Sequence, residues 1–407
     1  MKTQILLTVF ILATSLLTGC KKDKTSVPAE PKPIEMPEKG SQIISASNDF
    51  GIEMFRQVSM VEPDNLMLSP LSASSALSML LNGCDGETFS QISTMLGYED
   101  LTADEINALY KSLVTQLLDA DPQVNLALAN AIWYRQGFQV KTEFLNTMQT
   151  SFDATTEALD FNSPQALTTI NNWASDNTNG KIPRVMDEIS ADAVMFLMNA
   201  LYFKGNWTNT FDKSKTSLQP FNPDIQNPVM VDMMQAKFNF RQVSGPGYRA
   251  LELPYGRQNF AMVVVLPDAG LDAFINDFDG DKWHEITAAL DDAIPFSTEL
   301  YMPKFKFSYE KQLNDQLKAM GMLDAFDAYV ADLSRIADAD LFVSFVKQNT
   351  FVDVNEEGTE AAAVTTIGVD VTSLPEPLIV NKPFVFAIRE RMTNSLLFIG
   401  KVELPEY

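Results

Sequence analysis

The chain has 407 residues, with 30 Lys+Arg against 53 Asp+Glu, one His and two Cys. A net charge of −23 excludes nucleic-acid binding, which needs clustered cations, and one histidine excludes multi-His metal sites and leaves a His-dependent nucleophile a single candidate. The 46% of hydrophobic residues suffice for a large core, and the length allows two or three domains.

Lys2 precedes an apolar run from Ile5 to Leu17, short for a membrane-spanning helix, which ends in Leu17-Thr18-Gly19-Cys20. Small residues before a cysteine at that place resemble the bacterial lipobox. The resemblance implies a signal peptide over 1–19, cleavage before Cys20 and lipidation of its thiol. Cys84 is then left without a partner, so no disulfide framework is available. Residues 20–44 carry Pro28, Pro31, Pro33 and Pro37 and almost nothing apolar, so they read as an extended tether. The folded part, 45–407, is expected as a cell-envelope lipoprotein of the outer membrane, facing the periplasm or the exterior, with the membrane as a partner through Cys20.

Phe50 to Val58 has apolar residues at helical spacing, and Asn65-Leu-Met-Leu-Ser69-Pro70 leads into a small-residue helix ended by Gly83. Leu101 to Leu118 is a further amphipathic helix. Strands follow at VNLALANAIWYR (124–135) and AVMFLMNALYFKGNW (193–207), the second so continuously apolar that both faces should be covered. YRALELPY, FAMVVVLP and LYMPKFKFSY read as strands bounded by Pro and Gly, QLNDQLKAMGM as a helix, and KPFVFAIRER with SLLFIGKVEL as a closing hairpin. Helices first and strands later, without βαβ alternation, indicate an α+β fold.

Most candidate chemistry fails on inspection. Asp277-Phe-Asp279-Gly-Asp281 begins like a calcium loop, but Lys282 stands where the loop needs glycine and Ala288 where it needs glutamate. Gly245-Pro-Gly247 imitates a dinucleotide fingerprint, yet it precedes a strand instead of following one, so it is a turn. His284 opens a helix with no nucleophile beside it. No Walker loop or nucleophile elbow is present, and the residues support neither an enzyme nor a cofactor.

One segment is unusual. Between Lys347 and Lys382 there is no Lys or Arg, and between Phe351 and Phe384 no aromatic. On a two-residue period Thr359, Ala361, Ala363, Thr365 and Ile367 share one face, while Glu360, Ala362, Val364 and Thr366 share the other. The first face is uncharged and mostly small, as a loop entering an existing sheet requires. An Ala-rich surface loop and an ordinary additional strand fit the same pattern.

The segment resembles the hinge and reactive-centre loop of the serpins. So do Asn65–Ser72, Gly86-Glu-Thr88-Phe-Ser-Gln91-Ile92, INNWASDNTNGKIPRVM (170–186), NALYFKGNW (199–207) and the closing NKPF…FIGKV, in the family's order. The similarity runs from about Ser45 to Pro405 and replaces two or three domains by one. It implies three β-sheets, eight or nine helices and an exposed reactive loop. Carried over residue by residue, Glu356, Glu357, Gly358, Thr359, Glu360, Ala361, Ala362 and Ala363 match the hinge. Ser69, Ser72 and Asn199 match a polar cluster under the main sheet, the shutter, and Trp207 the breach where the loop enters. Gln348 stands where many members have histidine, and an amide cannot charge near neutral pH.

The family resemblance implies a monomeric suicide inhibitor of serine proteases, held in a covalent acyl complex, with cysteine proteases as further candidates. No metal or cofactor is implied. Aligned spacing places the scissile bond at Thr372–Ser373, one residue either way. Without Lys or Arg at Thr372 or Val371, elastase-like or subtilisin-like enzymes are the expected targets. The alternative is a non-inhibitory serpin acting as a binding or structural lipoprotein, although its hinge would ordinarily carry bulky, charged or proline residues.

Overall fold

The computed structural model describes residues 31–223, 227–359 and 376–407. Helix α1 (Gly40–Ser59) leads to a short strand β1 (Leu66–Leu68) and three helices, α2 (Pro70–Leu81), α3 (Gly86–Met95) and α4 (Ala103–Leu118). Strand β2 (Val124–Arg135), α5 (Thr142–Phe152), β3 (Thr155–Leu159), α6 (Pro164–Asn177) and β4 (Met195–Asn206) follow. The middle of the chain holds β5 (Ser217–Phe221), β6 (Val229–Gly245), β7 (Tyr248–Pro254), β8 (Phe260–Pro267), α7 (Leu271–Asn276) and α8 (Gly280–Asp292). The last part holds β9 (Phe296–Pro303), β10 (Phe305–Gln312), α9 (Asn314–Ala319), β11 (Lys347–Asn355), β12 (Gly358–Thr359), β13 (Leu378–Ile379), β14 (Phe384–Glu390) and β15 (Leu396–Val402).

Local chemistry explains these bounds. Ser69 caps α2 by accepting the Ser72 N–H, and Pro70 fills the first helical position, where its missing N–H is not needed. Thr102 and Glu105 form a reciprocal capping box on α4. Asp279, in the acidic run rejected as a calcium loop, caps α8 by accepting the Lys282 N–H at 2.9 Å. Gly245 pairs with Tyr248 across Pro246-Gly247, so that glycine-rich stretch is the turn of a hairpin. The expected strand over 300–309 divides, because β9 ends at Pro303 and Lys304 alone separates it from β10, which lies in a different sheet.

The three sheets form two hydrogen-bonded networks. One follows the order β1-β15-β14-β8-β7-β6-β9-β13, with β5 also on β6, and the other β10-β11-β12-β4-β2-β3. Two of the expected sheets are joined because β6 is 17 residues long. Its Val229–Phe240 stretch pairs with β5 and β9, and Arg241–Gly245 with β7. Nine α-helices stand among the described residues. The main core runs through both networks, with β8 buried at every position. A smaller core of Ala131, Trp133, Phe161, Ala166, Ile170, Met186 and Phe196 lies under α6. Thus β4 is covered on both faces, Asn199 meeting α2 and Phe196 meeting α6.

The folded part begins before the expected Ser45. Helix α1 starts at Gly40, and the proline-rich residues ahead of it are docked instead of free. Asn259 accepts the Lys32 N–H at 2.8 Å and donates to the Lys32 carbonyl at 2.7 Å. Gln116 treats Glu35 the same way, at 2.8 Å in both directions. Each amide side chain thus imitates a strand edge, while Ile34 and Met36 pack against the main core. Losing a buried amide costs about 1–3 kcal/mol. Asn259→Ala should therefore lower the melting temperature more than Gln116→Ala, because Asn259 is fully buried and Gln116 is not. In both variants limited proteolysis should cut within residues 31–39 sooner than in the parent.

Candidate functional site

Strands β4 and β11 run parallel to each other, and the two-residue β12 is antiparallel to both. Gly358 and Thr359 pair with Asn355 and Val354 on one side and with Asn206 and Gly205 on the other. Beyond that wedge no ladder joins β4 to β11 among the described residues. A cavity of about 690 Å³ lies between them, lined by Met195–Leu201, Val346–Thr350 and the small residues of α2.

The wedge is tightly held. Gly358 has φ +151°, and a Cβ there would lie 2.1 Å from the Gly205 carbonyl oxygen, so only glycine fits. Thr359 is 3% exposed and its hydroxyl lies 2.7 Å from that of Tyr255. Burial pushes the Tyr255 hydroxyl far above its ordinary pKa, so it remains a neutral hydrogen-bond partner. Trp207 stacks on Tyr255 with centroids 4.4 Å apart. Its indole N–H donates to the Asn355 carbonyl and its backbone N–H to the Glu357 carbonyl, both at 2.9 Å. Glu356 accepts the Thr216 hydroxyl at 2.7 Å and lies 3.4 Å from Lys304 Nζ. Burial opposes its charge, but Thr216, its own backbone N–H and Lys304 outweigh that and hold its carboxyl below the ordinary value. Glu357 pairs with Lys213 at 2.6 Å.

At the floor of the gap Gln348 accepts the Ser69 N–H at 3.1 Å and donates to the Ser69 carbonyl at 2.8 Å. Ser69 Oγ donates to the Leu397 carbonyl at 2.8 Å, and Ser72 Oγ donates to Asn199 Oδ1. The four polar residues expected together are therefore together. The network extends further than the sequence indicated. Asn199 Nδ2 donates to Asn130 Oδ1 at 2.6 Å and to Ser75 Oγ at 3.2 Å, and Ser75 Oγ lies 2.6 Å from Tyr110 Oη. Burial pushes the Tyr110 hydroxyl up to about 12, against the hydrogen bond with Ser75. Asn130, a buried amide inside the mostly apolar VNLALANAIWYR, was the available signal for this second half.

Glu360, Ala361, Ala362, Ala363, Thr372, Ser373 and Cys20 lie outside the described residues. Cys84 is buried and free, and burial raises the pKa of its thiol. His284 is exposed on α8. Among the described residues no group of His, Cys, Asp and Glu could hold a metal ion.

Residues 45–405 match the family described as Serpin (serine protease inhibitor). The chain belongs to the serpins. An uncharacterized serpin-like protein of Methanosarcina mazei is 33% identical over 383 residues, spanning 91% of this serpin and 89% of that relative. The leukocyte elastase inhibitor of Homo sapiens is 34% identical over 381 residues, spanning 89% and 100% respectively. Among solved structures, the thermophilic serpin tengpin in its native state is similar with a TM-score of 0.81 at 29% identity, over 92% of this serpin and 97% of tengpin. The α+β serpin fold is thereby established, and the family places this serpin among inhibitors and not among enzymes.

These comparisons also correct one expectation. Similarity to leukocyte elastase inhibitors across most of the chain argues against the outer-membrane, periplasmic or surface lipoprotein location. No helix among the described residues is long and apolar enough to cross a membrane.

This polar cluster of Ser69, Ser72, Asn199 and Gln348 carries no group that titrates near neutrality, so its stability should be flat from about pH 6 to 8. Gln348→His should change this. Neutral histidine can replace the amide's two bonds, but charging it there loses the acceptor and buries a cation, which lowers its folded pKa. The folded state then binds fewer protons than the unfolded one, and stability falls as pH drops below about 6.5. Melting temperatures of parent and variant across that range provide the check. Gln348→Ala leaves the Ser69 N–H unpaired and its carbonyl with the Ala73 N–H alone, and should cost about 1–3 kcal/mol at any pH in urea unfolding.

Proposed function

We propose that this serpin inhibits serine proteases as a suicide substrate, and that its targets are elastase-like or subtilisin-like enzymes. The observation that carries the reading is the wedge of Gly358–Thr359 at one end of an unpaired gap between β4 and β11. The segment after Thr359 has the composition of a strand that fits there. Continuing the register sets Ala361 between Val352 and Phe203, Ala363 between Thr350 and Leu201, and Thr365 between Gln348 and Asn199. All of these partners project toward α2 and the main core, so only small or polar side chains can enter.

In this reading the protease serine attacks the Thr372 carbonyl and the Thr372–Ser373 amide breaks. The serine proton passes to the new Ser373 amine, leaving Thr372 as an ester on the protease. The freed segment then enters the gap. Fifteen residues from Gly358 to Thr372 reach about 50 Å when extended, enough to carry the acylated enzyme along the molecule. Each new ladder bond adds ~1 kcal/mol net, and burial of the small face adds about 25 cal/mol per Å². That drive competes with deacylation, which depends on an intact oxyanion hole. Thr372 and Val371 are small and β-branched, and a pocket with an acidic floor finds no cation here. The leukocyte elastase inhibitors among the relatives support the same target class.

Incubation with neutrophil or pancreatic elastase should give an SDS-resistant complex and release a fragment beginning at Ser373. Complete turnover of the loop at every ratio, with no covalent species, overturns the inhibitor reading in favour of a non-inhibitory serpin.

Thr359→Arg should convert the inhibitor into a substrate, because a guanidinium cannot replace a buried hydroxyl beside Tyr255 without a partner. Cleaved parent protein should melt far higher than intact protein, whereas the cleaved variant should not. Glu360→Arg, on the opposite face by the two-residue period, should keep most inhibition, and equal loss in both variants would show the alternation to be misread.

A further inference from the structure

We infer that Tyr407 is a positioning residue for loop insertion: its ring holds the Lys304 ammonium against Glu356 and thereby fixes the turn from which the loop enters the gap. The inference rests on the insertion reading above. Lys304 Nζ lies 3.8 Å from the Tyr407 ring centroid and 3.4 Å from Glu356 Oε2. Lys306 Nζ lies 5.9 Å from the same ring and 2.9 Å from Asp353 Oδ2. Burial and then the charge of Asp353, on the strand that leads into the turn, raise the pKa of the Tyr407 hydroxyl. Neighbouring backbone delivers the ring to this place. Lys306 N–H donates to the Glu406 carbonyl at 2.7 Å, and Asn65 accepts the N–H groups of Glu403 and Leu404.

A lysine ammonium is strongly hydrated and sits on a flexible stem, so a single ion pair confines it poorly. An aromatic face removes part of its water and limits where it can go. Glu356 needs that confinement, because at 5% exposed it has little access to water as an alternative donor. Its other side-chain donor in the site is the Thr216 hydroxyl, and Phe211 N–H holds its carbonyl at 2.8 Å. With Lys304 released, the carboxylate admits water to the turn and Gly358–Thr359 loses its fixed start. Insertion and hydrolysis of the acyl-enzyme are competing branches. A slower first step of insertion diverts molecules to hydrolysis, while acylation at Thr372–Ser373 is unaffected.

The test measures how many inhibitor molecules are consumed per elastase trapped, together with the acylation rate constant. Tyr407→Leu should raise the number consumed about three- to tenfold with acylation unchanged, whereas Tyr407→Phe, which keeps the ring, should stay within about twofold of the parent. Trp207 emission should shift in Tyr407→Leu before any protease is added, since its indole N–H donates to the Asn355 carbonyl. In a Lys304→Met background Tyr407→Leu should add nothing further, as expected when two side chains act through one contact. Unchanged consumption in Tyr407→Leu, equal loss in Tyr407→Phe, or full additivity with Lys304→Met overturns the inference. A parent protein that forms no covalent complex counts against the insertion reading instead, and the Trp207 emission then decides whether the ring holds the turn.

Discussion

Backbone N–H and C=O groups must be paired when they leave water, and in the second sheet the facing edges of β4 and β11 have few ladder partners among the described residues. Strand β4 gives one edge to β2, and β11 gives one edge to β10, while their facing edges share only the two residues of β12. Those facing edges run parallel, so one antiparallel strand in the direction β12 already sets could pair with both at once. That requirement governs the architecture around the gap. The floor under it is α2, which presents the short side chains of Ser72, Ala73 and Ala76 together with Leu77 and Leu80.

A buried polar network is sound only when each member is paired, because in low dielectric an orphaned group costs more than a satisfied one returns. The floor of the gap meets that condition through bonds that cross elements. Gln348 on β11 reads the peptide of Ser69, Ser72 on α2 binds Asn199 on β4, and Asn199 continues to Asn130 on β2. Tyr110 on α4 joins through Ser75. The two strands that would have to separate are therefore linked through α2 and not directly to one another. Movement of either strand is felt by that helix, and the polar contacts give the closed floor one defined arrangement.

Features set by local periodicity were legible in the sequence, and features set by distant partners were not. VNLALANAIWYR and FAMVVVLP became β2 and β8 with the expected bounds, because a mostly apolar run in the first and an unbroken one in the second report burial locally. The two-residue period also put Thr359 on the inward face, where it is buried. Asn259 and Lys32 are 227 residues apart, and a pairing of that kind leaves no local mark, so residues 31–39 read as tether although they are docked. Arg389 lies wholly buried inside the strand KPFVFAIRER, paired with Glu252 and Asp291. Its charge argues for the surface until those partners, one on β7 and one on α8, are known. The second half of the polar network was missed for the same reason, since an asparagine in a mostly apolar strand does not name its partners.

The hinge concentrates cations in a chain that has few of them. With 30 Lys+Arg against 53 Asp+Glu, the cations cannot serve every carboxylate one to one, yet Asp353, Glu356 and Glu357 each have a lysine. Two of these carboxylates are nearly buried, and a desolvated carboxylate without a cation would take up a proton or open the turn to water. Pairing keeps Glu356 charged below the pH at which an ordinary glutamate titrates, so it stays ionised throughout the neutral range. At the other end of the gap an amide occupies the place of a titratable imidazole. Neither Glu356 nor the Gln348 amide changes charge near neutral pH, so neither supplies a proton-driven switch for the proposed opening of the sheet.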